Sequence, residues 1–542
     1  MKNYIHHRVY IWVLFLNILL ISPIIIYPLN IGIDIIFDPV YIWNFLCSFF
    51  SLGVINFSFK RVFYIHLFLL PFYIVSASSV FLIFVFDSRL TSGYLWVFLS
   101  NISNTSDFIK TYYMDIFFIF GPFFILYVFF MKKIYVLMFP FDRKYIFYFS
   151  ISLLLIFYVG LFIRQSGLYS NKYTAIWDVI EHDNSSPFGI ISQSLSTYNL
   201  LMRYTSDIEK REKFLFNAVQ LPRNDEQEIH ILVIGESARA DRWSINGYYR
   251  ETSPFLSKQR NFISFSNVIS PFTLTQKSVP LIITRANTNN PELARTEKSI
   301  ISVFNDVGFK TSWLTTQAFD HFAGIIHFVA NDAMSVRYFD RVYDTFLLKE
   351  LGELISDSKR SGAKLFIVLH TKGSHAEYSN RYPDKFKVFP DSNNLSRKVI
   401  LNNRYDNTIL FTDFFLSSVI SKLEKSKVQA TLTYVSDHGE NLMDDERRLV
   451  GHSYGSKYDS PVPLFFWYSD EFLKKNKNKI DIAVNNKNRK LTTANVFHSI
   501  ADIANINFDS FDKSMSIFSD TIKEPVRLIY ELSDDKFIEY DK

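Results

Sequence analysis

Five apolar runs crowd the first 165 residues and constrain this chain more than any other feature. They span residues 9–29, 40–59, 62–86, 114–131 and 145–163. Each approaches the ~20 residues an α-helix needs to cross a bilayer. A cleaved signal peptide is rejected for the first run, which is long, lacks a small-residue cleavage site and precedes four more. Lys2 and Arg8 precede the first run, Lys60 and Arg61 follow the second, and Lys132, Lys133, Arg143 and Lys144 separate the fourth from the fifth. Positive charge marks the cytoplasmic side. The N-terminus is therefore expected in the cytoplasm and everything after residue 163 outside.

A chain of 542 residues needs more than one core. The expected division is an all-α membrane domain of five transmembrane helices over 1–165, a linker over 166–222, and a soluble domain over 223–542. The linker carries a mixed helical pattern over 187–216, read either as a helix resting on the membrane surface or as a connector packed on the soluble domain. The net charge of +5 points to no nucleic-acid partner. The lone cysteine, Cys47, excludes an intrachain disulfide. The outer loop 87–113 holds Asn101, Asn104, Thr105, Ser106 and Asp107, read either as a solvated loop or as a polar cup for a lipid head group. His66 and Asp115 are ionisable groups in or beside the apolar runs, which makes them functional candidates.

Past residue 223 the pattern changes. Strand-like runs (HILVIG, FISFSNVI, KTSWLTT, KLFIVLH, ATLTYVS, VPLFFWY) alternate with helical stretches at 299–307, 343–359, 407–425 and 493–503. Such alternation predicts a mostly parallel sheet covered on both faces. The Lys- and Asn-rich stretch 474–490 reads as an exposed loop.

Three of these runs end in reactive groups. HILVIG leads into Gly235-Glu236-Ser237. KLFIVLH leads into Thr371-Lys372-Gly373-Ser374-His375. TLTYV leads into Ser436-Asp437-His438-Gly439-Glu440. Open α/β sheets place their ligands beyond the carboxyl ends of the strands. Glu, Asp and His gathered there predict a divalent metal, zinc or manganese. The segment 270–280, SPFTLTQKSVP, supplies hydroxyls at Thr273, Thr275 and Ser278. A hydroxyl bound to a divalent cation loses its proton more readily and becomes a nucleophile. Neither a Gly-x-Ser-x-Gly elbow nor a P-loop is present.

Six ordered motifs carry a resemblance. They are Gly235-Glu236-Ser237-Ala238-Arg239-Ala240 with Ser244-Ile245-Asn246-Gly247-Tyr248, Thr275-Gln276-Lys277-Ser278-Val279-Pro280, His370 through His375, the helix 405–413, Ser436 through Glu440, and His452 in GHSYG. Together they resemble the phosphoethanolamine transferases of Gram-negative envelopes, in the alkaline phosphatase/sulfatase superfamily. The resemblance spans essentially the whole chain. It implies an inner-membrane protein with a periplasmic α/β/α sandwich of alkaline phosphatase/sulfatase type. It implies that Glu236, Thr275, Asp437 and His438 hold zinc, and that Thr275 attacks phosphatidylethanolamine and carries phosphoethanolamine to a lipopolysaccharide or other envelope glycan acceptor. His375 and His452 would bind the phosphoryl group, hold a second zinc, or protonate the leaving group. His230, His321, His327 and His498 have no motif partner and are read as structural.

The chain departs from the family's pattern in three places. It has no disulfides. Asn101 and Thr105 match the lipid-binding loop of lipid A-modifying members, but Ile109 stands where they carry an acid, with Asp107 the nearest substitute. GHSYG and the following SPVPLFFWYSDEF are closer to members acting on core sugars than to those acting on lipid A. A sulfatase activity is disfavoured, because no Cys/Ser-x-Pro-x-Arg segment lies near Thr275. A phosphoglycerol transferase of lipoteichoic-acid-synthase type is the alternative, with a non-catalytic scaffold behind it.

Overall fold

The structure, a computed structural model, describes residues 2–31, 36, 39–58, 61–86, 90, 102–135, 144–168, 183, 185–222, 226–317, 325–339, 342–392, 394–452, 454–531 and 536–542. The chain divides into two compact units, Met1–Arg203 and Tyr204–Lys542. The division falls inside the stretch 166–222.

The first unit is helical, and each of the five apolar runs contains helix. Among the described residues, Tyr112–Ile134 is long and apolar enough to cross a membrane by itself. Two further candidates are bent pairs: Ile11–Leu20 with Ser22–Leu29, at 65°, and Val62–Phe68 with Leu70–Val85, at 58°. Tyr41–Asn56 and Phe147–Ile156 are shorter apolar helices. Among the described residues, length and composition thus yield one span, or up to three if each bent pair is a single span. The first bend has a local cause. Pro23 has no N–H for the preceding turn, and Ser22 Oγ donates to Leu19 O instead, at 2.8 Å. The Leu20 carbonyl freed at the break accepts from Ser76 Oγ and Ser186 Oγ, both at 2.7 Å. His66, fully buried, lies 2.8 Å from Tyr73 Oη and 3.3 Å from Asn56 Oδ1, while Asp115 is exposed. Asn101 lies outside the described residues, as do the side chains of Thr105, Asp107 and Ile109.

The second unit is built on a seven-stranded sheet. Its strands are β1 (Glu228–Gly235), β2 (Phe262–Phe265), β3 (Lys310–Thr315), β4 (Ser335–Tyr338), β5 (Leu365–His370), β6 (Gln429–Ser436) and β7 (Leu464–Tyr468). The spatial order is β2-β7-β6-β1-β5-β3-β4. The five strands from β6 to β4 run parallel, and β7 pairs antiparallel with both β6 and β2. Alternate residues of β1 face opposite layers. Leu232 and Ile234 join a core with Phe304, Phe497 and Ile500, whereas Ile231 and Val233 join one with Leu351, Ile409 and Leu416. Helices therefore cover both faces, which explains why the central strands read as continuous apolar runs.

One expectation fails. Residues 470–486 form a helix, Asp470–Asn486, instead of an exposed loop. Ser469 Oγ caps it through Phe472 N, and Phe472, Ile480 and Ala483 are buried at helical spacing. The intervening Lys and Asn residues hide that stripe in the composition.

Candidate metal centre

Strand register assembles the site. Gly235 pairs with Ser436, and Ile234 and Thr315 both pair with His370. Residues one or two steps beyond these strand ends therefore share one sheet edge. Glu236 leaves β1 there, Asp437 leaves β6, Thr371 leaves β5, and Gln317 follows β3. Gly235 is required where it stands, because a Cβ would meet Tyr434 Oη at 2.4 Å. Ser237 takes a left-handed turn at φ 56°, and its N–H donates to Asp437 Oδ1 at 3.1 Å. Gly373, at φ 46°, brings its backbone so close to Glu236 that a Cβ would meet Glu236 O at 2.8 Å.

Glu236, Asp437 and His438 are buried, and a ligand atom from each lies within 4.8 Å of the others, a grouping able to hold a metal ion. His438 Nδ1 lies 2.8 Å from Gly439 O, which fixes the proton on Nδ1 and leaves Nε2 bare. That bare nitrogen faces Glu236 Oε1 and Asp437 Oδ2, each at 3.4 Å. Asp437 Oδ2 is buried and accepts no hydrogen bond. Three lone-pair groups aimed at one point repel each other unless a cation sits among them, so the donor set fits a metal. The ionisation pattern agrees. Burial and the Glu236 charge push the Asp437 carboxyl well up. Burial also opposes charge on Glu236, but His438, His375 and His452 outweigh it and hold that carboxyl at about 2.

Thr275 opens the helix Thr275–Ile283 at the rim of this cluster. Its Oγ1 donates to Glu236 Oε2 at 3.2 Å and lies 3.4 Å from His438 Nε2. The His452 ring stands 4.2 Å from that of His438, and the His375 ring 6.4 Å from that of His452. All six residues anticipated for the soluble site thus converge. His230 is buried along β1, paired with Thr431 and Glu228, while His327 and His498 are buried with Asn331 and the Asp512 amide as respective partners; His321 lies outside the described residues.

Three further residues serve the site. Gln317 Nε2 donates to Glu236 Oε2 at 2.9 Å and to Thr371 O at 2.8 Å. Glu440 Oε2 lies 3.3 Å from His452 Nδ1. Burial opposes the charge on His452, but Glu440 outweighs it and lifts the imidazole to about 9. Asp459 ties Asn441 to the backbone of Tyr454 and Ser456. The 405–413 motif is scaffolding. Tyr405 Oη donates to Ser237 O, Thr408 Oγ1 to Ser374 Oγ, and Asp413 accepts from the amides of Phe255 and Leu256.

Known proteins are similar to this chain in sequence and fold. The chain is 29% identical over 324 residues to phosphoethanolamine transferase EptC of Escherichia coli (strain K12), covering 55% of this chain and 54% of that one. It thus spans about half the length of the curated relatives it matches. The second unit resembles the crystal structure of the C-terminal periplasmic domain of E. coli EptC in complex with zinc, with TM-score 0.55 and 27% identity over 60% of this chain and 96% of that domain. The integral membrane lipooligosaccharide phosphoethanolamine transferase A (EptA) from Neisseria meningitidis shares the fold along 95% of this chain and 98% of its own, with TM-score 0.51 and 20% identity. A sulfatase family model matches residues 229–506, just over half of the chain and all of the strand ends that form the site. The chain belongs to the sulfatase family.

Proposed function

We propose that this protein transfers phosphoethanolamine from phosphatidylethanolamine to a lipopolysaccharide or related envelope glycan, through a phosphothreonine-type intermediate on Thr275. The observation that carries this reading is the Thr275 hydroxyl, 3.2 Å from Glu236 and 3.4 Å from a bare His438 nitrogen. Glu236, Thr275, Asp437 and His438 would hold zinc. Bound there, zinc would offset the paired carboxylate charge and make the hydroxyl a better nucleophile. The similarity to a zinc-bound relative supports that metal over manganese.

Thr275 Oγ, its hydroxyl proton already given up to solvent, attacks the donor phosphorus as the bond to the diacylglycerol oxygen breaks. His452, kept charged by Glu440, gives its proton to that departing oxygen. An acceptor oxygen then attacks the same phosphorus, passes its proton to His452, and releases Thr275. His375 and His452 flank the phosphoryl oxygens. The chain would cross the membrane five times, with the catalytic unit in the periplasm and Asn101, Thr105 and Asp107 binding the lipid head group. This topology is supported by the flanking lysines and arginines and by the periplasmic domain of the E. coli relative.

Incubating the zinc-loaded, full-length protein with phosphatidylethanolamine should add one phosphoethanolamine mass to the peptide containing Thr275. An adduct formed from phosphatidylglycerol instead would move the activity to phosphoglycerol transfer. No adduct from either donor would defeat the covalent mechanism.

A further inference from the structure

Thr275, at the start of its helix, and His452 sit on separate segments outside the sheet, and Tyr530 touches neighbours of both. The antiparallel pair β8 (Leu528–Glu531) and β9 (Lys536–Glu539) forms a hairpin outside the segment matched by the sulfatase model. Its Tyr530 N–H donates to Pro271 O at 2.9 Å, four residues before the nucleophile. The Tyr530 ring lies 5.4 Å from that of Phe272 and accepts the Lys277 ammonium over its face at 4.3 Å. The hairpin thus grips the Thr275 loop on both sides of Thr275. On its other flank, Gly455 approaches the hairpin so closely that a Cβ would meet Tyr530 O at 2.5 Å. Gly455 stands three residues past His452. Arg527, nearly fully buried, anchors the base by donating to Asn267 Oδ1 at 2.6 Å and pairing with Asp541.

We propose that this hairpin is a strap that sets the separation of the Thr275 and His452 loops, with Tyr530 as its positioning residue. Each loop carries one reacting group, and neither is part of the sheet. In-line displacement requires attacking and leaving-group partners held within a fraction of an ångström, and small misplacements cost large factors in rate. A hairpin bonded to one loop and pressed against the other supplies that constraint without touching substrate. Its effect should fall on turnover, not on donor binding or metal content. The kinetic part of this proposal rests on the phosphoethanolamine-transfer reading.

The test compares Tyr530→Ala, Tyr530→Phe and Gly455→Ala in the full-length protein, by amide hydrogen exchange and by transfer kinetics with phosphatidylethanolamine. Tyr530→Ala should speed exchange about tenfold in 270–277, where its ring contacts lie, and Gly455→Ala should do so in 451–458, with the central strands unchanged in both. It should lower kcat about tenfold, with KM for the donor and zinc content held. Tyr530→Phe should restore both, because the ring face that meets Phe272 and Lys277 remains. Gly455→Ala should lower kcat while every hairpin side chain is intact. Wild-type exchange in Tyr530→Ala, faster exchange spread through the whole sheet, or a Tyr530→Phe as impaired as Tyr530→Ala would each overturn the strap. A wild type that transfers no phosphoethanolamine would overturn the functional reading alone, and the exchange arm would then decide the strap.

Discussion

Gln317 Nε2 donates to Glu236 Oε2, the same oxygen that accepts the Thr275 hydroxyl. One carboxylate oxygen is thereby oriented from two directions, by an amide just past the end of β3 and by the Thr275 hydroxyl. The second Gln317 bond, to Thr371 O, ties that amide to the loop after β5. Partners that orient a metal ligand typically govern affinity by about 10–100-fold when removed. Gln317→Ala should weaken zinc binding by about that factor, measured by competition with a chromophoric chelator. Gln317→Glu should be worse, because it sets a third acid against Glu236. Unchanged zinc affinity in both variants would separate Gln317 from the metal.

Metal removal should also cost stability. Asp437 and Glu236 are buried side by side, and burial plus the Glu236 charge already resists ionisation of Asp437. A bound cation stabilises the folded state by mass action, about 2.7 kcal/mol at a hundredfold excess over Kd. Treating the protein with a chelator at neutral pH should lower the Tm of the catalytic unit by several degrees, and added zinc should restore it. Asp437→Asn removes the repulsion but also a ligand, so it should show a smaller Tm loss on chelation. An equal loss in both proteins would argue that the metal sits elsewhere.

Three buried groups set opposing pH dependences. Burial lowers the imidazoles of His327 and His498 to about 4. A depressed histidine contributes stability that is present above its ordinary value near 6.5 and is lost as pH falls toward 4. Each proton taken up costs about 1.4 kcal/mol per pH unit. Asp413 runs the other way. Burial lifts its carboxyl to about 7 against the Phe255 and Leu256 amides, so its contribution is present below about 4 and is lost as pH rises through 7. Among these three groups the balance is a net loss toward acid. Denaturant unfolding of the catalytic unit from pH 7 to pH 4 should show it, and His498→Phe should flatten the slope. A steeper acid loss in His498→Phe would reverse the assignment.

The legible part of the site was the part that follows apolar runs. Glu236, His375 and the Asp437-His438 pair each come just after a strand that is buried on both faces, so strand prediction and ligand prediction were one step. Gln317 follows β3 in the same way but was silent, since an amide after a strand suggests no chemistry until the partner oxygen is placed. Glu440 stands inside the Ser436–Glu440 motif, yet its pairing with His452 depends on a turn that no spacing rule reveals. The helix 470–486 was misread because lysine and asparagine outnumber its buried residues. In the first unit, Pro23 stands just past the first bend, but a run of apolar residues reads the same whether a helix is straight or broken there.

The two candidate nucleophiles offer the sharpest contrast. Thr273 and Thr275 are two residues apart in one polar segment, and either hydroxyl suits a divalent cation on composition alone. Thr275 opens a helix and is the one that reaches Glu236 and His438, while Thr273 is buried ahead of that helix. Thr275→Ala removes one oxygen and one methyl at a half-exposed position, so fold and membrane insertion should survive. Transfer should drop to background, because no other group replaces the attacking oxygen. Thr275→Ser keeps that oxygen but frees a rotamer, and should retain partial activity. Thr273→Ala should be mild in rate, with its cost in stability instead. Activity of each variant is read as phosphoethanolamine transferred to a lipopolysaccharide acceptor, with zinc content measured alongside. Full transfer by Thr275→Ala, or loss of transfer confined to Thr273→Ala, would move the nucleophile to Thr273.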